Sequence, residues 1–144
     1  MLKNLSWLVP DRVLYWQLAS SCTVAEFQVG LEEVQDVLKA VSSKVHLIID
    51  ARSAQSLDGN TTSARKIAQS LARNTQMGCC MVISHNFFFK HQLNRVTIDF
   101  GTDLRYSDSY RHAWKSLHNL DTGLPYVAPT LPTSKPSRTR KNAF

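Results

Sequence analysis

Long apolar runs are missing from this chain of 144 residues. Its first residues, MLKNLSWLVPDRVLYW, contain no apolar run of signal-peptide length before Pro10 and Asp11. Nowhere does the sequence approach the roughly 20 consecutive apolar residues that a membrane-spanning helix needs. The sequence therefore predicts a cytoplasmic protein without a membrane span.

Glycine and cysteine are also scarce, and their positions exclude several kinds of site. The five glycines are scattered and match no phosphate-binding loop. A Gly-x-Ser-x-Gly sequence, which marks many serine nucleophiles, is absent. The three cysteines, Cys22, Cys79 and Cys80, are an odd number with two adjacent, which is a poor disulfide framework. We interpret Cys79 and Cys80, within the apolar run MGCCMVI, as small core side chains.

Histidine spacing gives no pattern typical of a metal site. Cys80, His85 and His91 match no standard zinc spacing, and no fourth ligand accompanies them. His112 and His118 lie on a charged helix beside Arg111, where a solvated face is expected. From these absences we expect no cofactor, no metal and no enzymatic activity.

Acidic residues are missing from the C-terminal end. From Val127 onward the chain has no acid and four basic residues: Lys135, Arg138, Arg140 and Lys141. Removing these four from 17 basic residues leaves 13 against 11 acidic ones, so the formal charge of the rest is only +2 rather than +6. That balance gives no reason to expect a specific nucleic-acid partner.

The same C-terminal segment is rich in Pro, Ser and Thr. Its composition predicts a disordered basic tail over residues 127–144, following a single domain over residues 1–126. The tail charges allow weak electrostatic contacts with nucleic acid or anionic lipid, although a solubilising tail is the simpler interpretation.

Strands and helices alternate along the rest of the chain. The predicted strands are SWLV, Arg12–Ala19, Val45–Asp50, CCMVIS and DLRYS. The helices begin after Thr23, after Asn60 or Thr61, after Asn86, and after Ser107 or Asp108. This alternation predicts an α/β fold with right-handed crossovers and a mixed, mostly parallel five-stranded sheet whose first strand is antiparallel.

The first helix and the strand after it carry the clearest patterns. Thr23 and Glu26 form a capping box, in which each side chain bonds a free amide at the helix start. One apolar stripe follows, made of Phe27, Leu31, Val34, Leu38 and Val41. In the strand VHLIID, alternation predicts that Val45, Leu47 and Ile49 face the helices, with His46, Ile48 and Asp50 on the other face.

The segments VLYWQLASSCTVAEF, VHLIID, GCCMVIS and SDSYRHAWKSL, in this order, resemble the STAS and anti-sigma-factor-antagonist-like group, most closely small bacterial proteins of that fold. The shared features are a Thr-x-x-Glu helix start, a central strand ending in Asp, and a final helix with an Ala-aromatic-x-x-Leu ending. The resemblance covers about residues 4–120. It implies a strand–helix superhelix with helices mainly on one face of the sheet, and a regulatory domain with an unidentified protein partner.

In regulatory STAS proteins, a loop at the start of the second helix carries a phosphorylated hydroxyl that switches partner binding off. By resemblance, Asp58 matches the family Asp, but the phosphoacceptor serine positions hold Gly59 and Asn60. Thr61, Thr62 and Ser63 follow at once. They are candidate substitutes for the missing serines, and they also suit a helix start without any phosphate. We expect the loop to be structural, with any partner meeting a broader surface around it.

Asp50, at the end of the central strand, allows three roles. It can act as a general base, bind a metal, or accept amide hydrogen bonds from the loop that follows, with Arg52 as an ion-pair partner. The third role is the most common. Asp50, Asp58, Thr61, Thr62 and Ser63 are the candidate interaction or switch residues.

Two surfaces remain as candidates for binding. Phe87 and Phe88, together with Trp7 and Trp16, are candidates for an exposed apolar patch or else form the rim of the core. The basic residues Arg65, Lys66 and Arg73 lack interleaved aromatics, so nucleic-acid binding is weakly indicated. A large apolar cavity between the third helix and the sheet would favour small-ligand or lipid binding instead. A deep polar pocket around Asp50 would favour an enzyme.

Overall fold

A computed structural model describes residues 4–132, without the side chain of Thr102. Its strands are β1 (Leu5–Val9), β2 (Val13–Gln17), β3 (Ser21–Thr23), β4 (Val45–Asp50), β5 (Ser56–Asp58), β6 (Met77–Ile83) and β7 (Leu104–Ser107). Its helices are α1 (Val24–Lys39), α2 (Thr62–Ala72), α3 (Phe87–Thr97) and α4 (Tyr110–Leu120), and a 3-10 helix (Ile98–Asp103) follows α3.

The main sheet has five strands in the order β1-β2-β4-β6-β7. β1 is antiparallel to β2, and every other neighbouring pair is parallel. This confirms the predicted mixed, mostly parallel α/β sheet with four helices. The turn between β1 and β2 places Asp11 in the left-handed region, with φ 62°, which Asp tolerates better than most residues.

Helices α1, α2 and α3 pack on one face of the sheet. Ile49 lies in that core, as the alternation in β4 predicts. The ring of Trp16 on β2 stacks on Phe27 of α1, with 4.8 Å between centroids. A Cβ at Gly30 would lie 2.0 Å from the Trp16 ring, so this position in the middle of α1 requires glycine for the helix to approach the strand.

Helix α4 covers the opposite face. Ile48 packs there with Trp114 and Leu117 in a second apolar cluster. The indole of Trp114 donates to the carbonyl of Pro125 at 3.0 Å, and the hydroxyl of Tyr110 donates to the carbonyl of Pro129 at 2.7 Å. Three helices on one face and one on the other agree with the implied arrangement of helices mainly on one face.

The contacts with α4 continue past residue 126, where the sequence places the end of the domain. Ala128 and Leu131 are partly buried against the cluster around Trp114. The predicted tail therefore starts within a segment that touches the domain. Its remaining residues, 133–144, lie outside the described residues, so their disorder stays a prediction.

Most helix starts agree with the sequence, and one does not. The Thr23–Glu26 capping box is present, and Asn86 caps α3 by accepting the amide of Phe89 at 3.0 Å. The cap of α4 is Ser109, whose hydroxyl accepts the amide of His112 at 3.1 Å, so the prediction of Ser107 or Asp108 was wrong by one or two residues.

A small second sheet joins β3 and β5 in parallel, and it was not predicted from the sequence. The two strands have three residues each and are largely polar, so no apolar alternation marks them. Thr23 lies opposite Asp58 in this pair. As a result, Asp58 ends a strand instead of lying in a free loop.

Candidate functional site

The carboxyl ends of β2, β4 and β6 meet at one edge of the sheet, where α/β proteins commonly bind ligands. An open groove of ≈ 670 Å³ lies along this edge. The residues that line it are Arg52, Ser53, Ala54, Gln55, His85 and Asn86. We call it the carboxyl-edge groove. It is the place where a polar pocket around Asp50, which would favour an enzyme, is to be sought.

Asp50 is buried beside the groove and is fully engaged by neighbours. Arg52 donates to its carboxylate from Nε at 2.9 Å, from a terminal guanidinium nitrogen at 2.7 Å and from its backbone amide at 3.2 Å. The hydroxyl of Tyr15 donates to the same carboxylate. The loop amide and the ion pair with Arg52 match the most common of the roles considered for Asp50.

The charge state of this cluster follows from the contacts. Burial alone would raise the pKa of Asp50, but the hydrogen bonds from Arg52 and Tyr15 outweigh it and the net pKa is lowered. Burial, and then the bond to Asp50, raise the pKa of Tyr15 far above its ordinary value. Asp50 is therefore an ionised acceptor with its oxygens occupied, and Tyr15 is a neutral donor. Neither group is poised to exchange protons with a substrate.

A second polar cluster lies at the opposite end of β4. His46 Nδ1 accepts the amide of Cys79 at 3.0 Å, which places the ring proton on Nε2, 3.0 Å from the Asp121 carboxylate. Arg12 donates to that same carboxylate at 2.6 Å. The bond from Arg12, then that from His46, lower the pKa of Asp121 to about 2. Both imidazole nitrogens are engaged, so His46 holds strand ends together.

The predicted switch loop is positioned by side chains from elsewhere in the fold. Asp58 accepts hydrogen bonds from the Ser56 hydroxyl at 2.9 Å and from the Gln92 side chain at 3.2 Å. Gln92 also accepts the backbone amide of Leu57 at 2.8 Å, so α3 fixes β5 through one side chain. Sequence reasoning gave no indication of Gln92, because 35 residues separate it from Leu57.

The three hydroxyl residues of the loop lie at the exposed start of α2. Asn60 accepts the amide of Thr62 at 2.9 Å, and the Thr61 side chain makes no capping hydrogen bond. Thr62 and Ser63 are exposed. Asp50 lies at the carboxyl-edge groove instead, so the fold does not gather the five candidate residues into one site.

The described part of the chain offers no metal centre and no membrane span. Within residues 4–132, no three His, Cys, Asp or Glu side chains are grouped as ligands of a metal ion would be. No helix among these residues has the length and apolar character needed to cross a bilayer.

Phe89, Leu93 and Val96 fill the middle of the interface between α3 and the sheet and are fully buried. A groove of ≈ 280 Å³ lies at the end of α3, beside β7, and is lined by Asn94, Thr97, Ile98, Gly101, Leu104 and Tyr106. A smaller groove of ≈ 270 Å³ lies elsewhere, between β2 and α1, and is lined in part by Trp16, Leu18, Cys22, Glu26 and Val29. We call it the α1 groove. Its volume lies just under the range of about 300–1,000 Å³ that is typical of small-molecule sites.

Among the described residues, the exposed phenylalanines are Phe87 and Phe88, at the first two positions of α3. Their exposed fractions are 86% and 59%. Lys90 lies over the Phe87 ring, with 5.5 Å from Nζ to the centroid. Phe87 and Phe88 are exposed, as one of the two alternatives for these aromatics predicts, whereas Trp16 is buried under α1 and Trp7 is partly buried against the same core, so these two belong to the core side of the other alternative.

Comparison with models of known protein families, with curated proteins and with solved structures finds no match for this chain. The STAS-like resemblance, carried by Thr23, Asp50 and Asp58, therefore stays a prediction. The contacts of the described residues carry the functional assignment.

Proposed function

We propose that this chain is a non-catalytic protein-interaction domain of regulatory, STAS-like type that acts in the cytoplasm. The observation that carries the proposal is the exposure of two consecutive phenylalanines, Phe87 and Phe88, at the start of α3. Buried aromatic side chains supply much of the binding energy of protein interfaces. An exposed pair held on a rigid helix therefore supports docking of another protein.

The two polar clusters support a structural role for the ionisable groups inside the fold. A general base needs a free lone pair within reach of a substrate proton. Asp50 and His46 have their acceptor positions engaged by Tyr15, Arg52 and the amide of Cys79. Each cluster ties a strand end to a neighbouring segment, which favours a rigid scaffold over a reaction centre.

Photo-crosslinking at the phenylalanine pair tests the proposal. Phe87 is replaced by the photoreactive analogue p-benzoylphenylalanine, and the full chain is irradiated in its native cell. Tyr126 is replaced in the same way as the control, because it is similarly exposed but lies beyond α4. We expect a discrete protein adduct from position 87 and none from position 126. Absence of any adduct at 87, or the same adducts at both positions, would contradict the proposal.

A further inference from the structure

The segment that follows α4, residues 125–132, lies on the same face of the sheet as that helix and belongs to no helix or strand. None of its residues is buried, although Ala128 and Leu131 are partly buried against the apolar cluster around Trp114. Within residues 4–132, the segment forms no backbone–backbone hydrogen bond. We call it the strap. Because few contacts hold it, the strap can leave the domain by a local opening that keeps the sheet and the helices intact.

Two aromatic side chains of α4 hold the strap through its backbone. Trp114 donates from its indole nitrogen to the carbonyl of Pro125 at 3.0 Å, and Tyr110 donates from its hydroxyl to the carbonyl of Pro129 at 2.7 Å. The two rings are neighbours one helical turn apart, with 6.4 Å between centroids. Both donors are neutral, and both acceptors are main-chain carbonyls. The contact therefore depends on the backbone of the strap more than on its side chains.

Proline gives the strap the chemistry of a peptide ligand. Three of its eight residues are proline: Pro125, Pro129 and Pro132. Proline has no amide that could be left unpaired, and its fixed φ lowers the entropy that a segment loses on binding. Surfaces built from aromatic side chains bind proline-containing segments for these reasons. Tyr110 and Trp114 form a surface of this kind.

We propose that Tyr110 and Trp114 are a binding site for a proline-containing segment of a partner protein, which displaces the strap. In this structure the chain's own strap occupies the site and blocks it. The arriving segment has to supply two carbonyls in place of those of the strap, and small or apolar side chains where Ala128 and Leu131 pack. Trp114 is 2% exposed, and the exchange of one carbonyl for another leaves its indole N–H paired.

The site begins at the edge of the sheet where the exposed phenylalanines lie. β6 and β7 are parallel neighbours, and α3 and α4 begin just after their carboxyl ends. Phe87 is the first residue of α3 and Tyr110 the first of α4, so both lie at this edge, on opposite faces of the sheet. A partner docked at Phe87 meets the strap by reaching round the edge, which favours its segment over the strap of a second copy. The inference rests on the proposed function and adds a second contact for the same partner.

Fluorescence anisotropy with a labelled peptide tests the inference on the full chain. The probe is LPYVAPTLP, the sequence of residues 124–132, with blocked ends. The opened variant, Ala128→Asp with Leu131→Asp, places charges where the strap packs and should release it. The control variant, Val127→Asp with Thr130→Asp, adds the same charges at exposed residues of the strap and should leave it docked. Circular dichroism should show that both variants are folded.

We expect the probe to bind the opened variant at least about tenfold more tightly than the wild type or the control, in which the tethered strap competes at a millimolar effective concentration. Adding Tyr110→Phe to the opened variant removes one donor and keeps the ring, so it should weaken binding about two- to tenfold. The probe has no charged side chain, so salt should leave its affinity unchanged. Leu131→Ser alone is milder, should give an intermediate affinity, and replaces the opened variant if that variant does not fold.

The inference is overturned if the probe binds neither the opened variant nor Leu131→Ser, if the opened variant and the wild type bind it equally, or if Tyr110→Phe leaves the affinity unchanged. A wild type that forms dimers which the opened variant does not form would place the strap of a second copy in the site, and would overturn it as well. If the probe binds as expected while position 87 captures no protein, the peptide site stands and the proposed function fails. If position 87 captures a protein and the probe does not bind, the proposed function stands and this inference fails.

Discussion

Three helices cover one face of the sheet, whereas α4 and the segment after it cover the other. On the first face the inward residues of β4 are all apolar, with Ile49 packed under the helices. On the second face only Ile48, in the middle of β4, joins an apolar cluster. His46 and Asp50, at the two ends of the strand, belong to hydrogen-bonded polar clusters instead.

This difference explains why the ionisable residues of the interior lie where they do. A single helix cannot bury a five-stranded face, and buried polar groups are tolerated only when their hydrogen bonds are made. Arg52 and Tyr15 complete the bonds at one end, and Arg12 and Asp121 at the other. The hydrogen bonds within the two clusters thus satisfy the polar groups of this face beyond the reach of α4.

The largest expected effect belongs to the three-helix face. Ile49→Ala should lower the free energy of unfolding by about 2–5 kcal/mol, because it removes buried methyl groups and leaves a cavity under the helices. Urea denaturation followed by circular dichroism measures the change. Leu120→Ala, at an exposed position, is the control and should be nearly neutral. A nearly neutral Ile49→Ala would mean that the facing of β4 is inverted.

A smaller loss is expected in the cluster around Asp50. Asp50→Ala leaves the Tyr15 hydroxyl buried without its acceptor, which should cost about 1–3 kcal/mol. Arg52 contributes less to that loss, because its side chain is 41% exposed and can turn to water. Tyr15→Phe combined with Asp50→Ala should cost less than the two single changes added together. Strictly additive costs would show that the two side chains are not coupled.

The strands, the helices and the mostly parallel character of the sheet follow from local patterns. Strand–helix alternation, the capping box at Thr23 and the alternation in VHLIID suffice for the five strands, the four helices and the facing of Ile49. The short strands β3 and β5 were not predicted, because a strand of three residues with a single apolar side chain is too short to show a period. The burial of Trp16 was left open because its cover depends on Gly30 of α1, fourteen residues further along the chain.

The site was predictable only where its contacts are local. Arg52 lies two residues from Asp50, and the sequence anticipated that pair. Tyr15 lies 35 residues from Asp50, and Asp121 lies 75 residues from His46. No spacing rule connects residues that only the order of strands brings together.

The cluster of Arg12, His46 and Asp121 should make the free energy of unfolding depend on pH in the acid range. The pKa of Asp121 is lowered to about 2 from 3.8, so the folded state favours the ionised form. Its stabilisation is complete above about pH 4 and is lost as the pH falls towards about 2. Asp50, whose pKa is also lowered, acts in the same direction.

The variant Asp121→Asn separates the contribution of Asp121 to this pH dependence from that of Asp50. At neutral pH it should lower the free energy of unfolding by about 1 kcal/mol or less, because the carboxylate is partly exposed. This gap in the free energy of unfolding between variant and wild type should close as the pH falls. Urea denaturation midpoints at a series of pH values measure it. Leu120→Ala, at an exposed residue without charge, is the control and should show no such closing gap. A gap that is constant with pH would rule out the charge as its cause.

The smallest effect is expected at the start of α2, outside both faces. The first turn of α2 has no acidic residue, and Thr62 is exposed there. A carboxylate in the first turn interacts favourably with the helix dipole, so Thr62→Glu should raise the free energy of unfolding by about 0.3–1 kcal/mol or leave it unchanged. Thr62→Lys should lower the free energy of unfolding instead.

Crosslinking from position 87 should be the same in the wild type and in Thr62→Glu, because the proposed docking surface lies on α3. Loss of that adduct in Thr62→Glu, or stoichiometric phosphate on Thr61, Thr62 or Ser63 in protein from its native cell, would show that the loop is a switch after all.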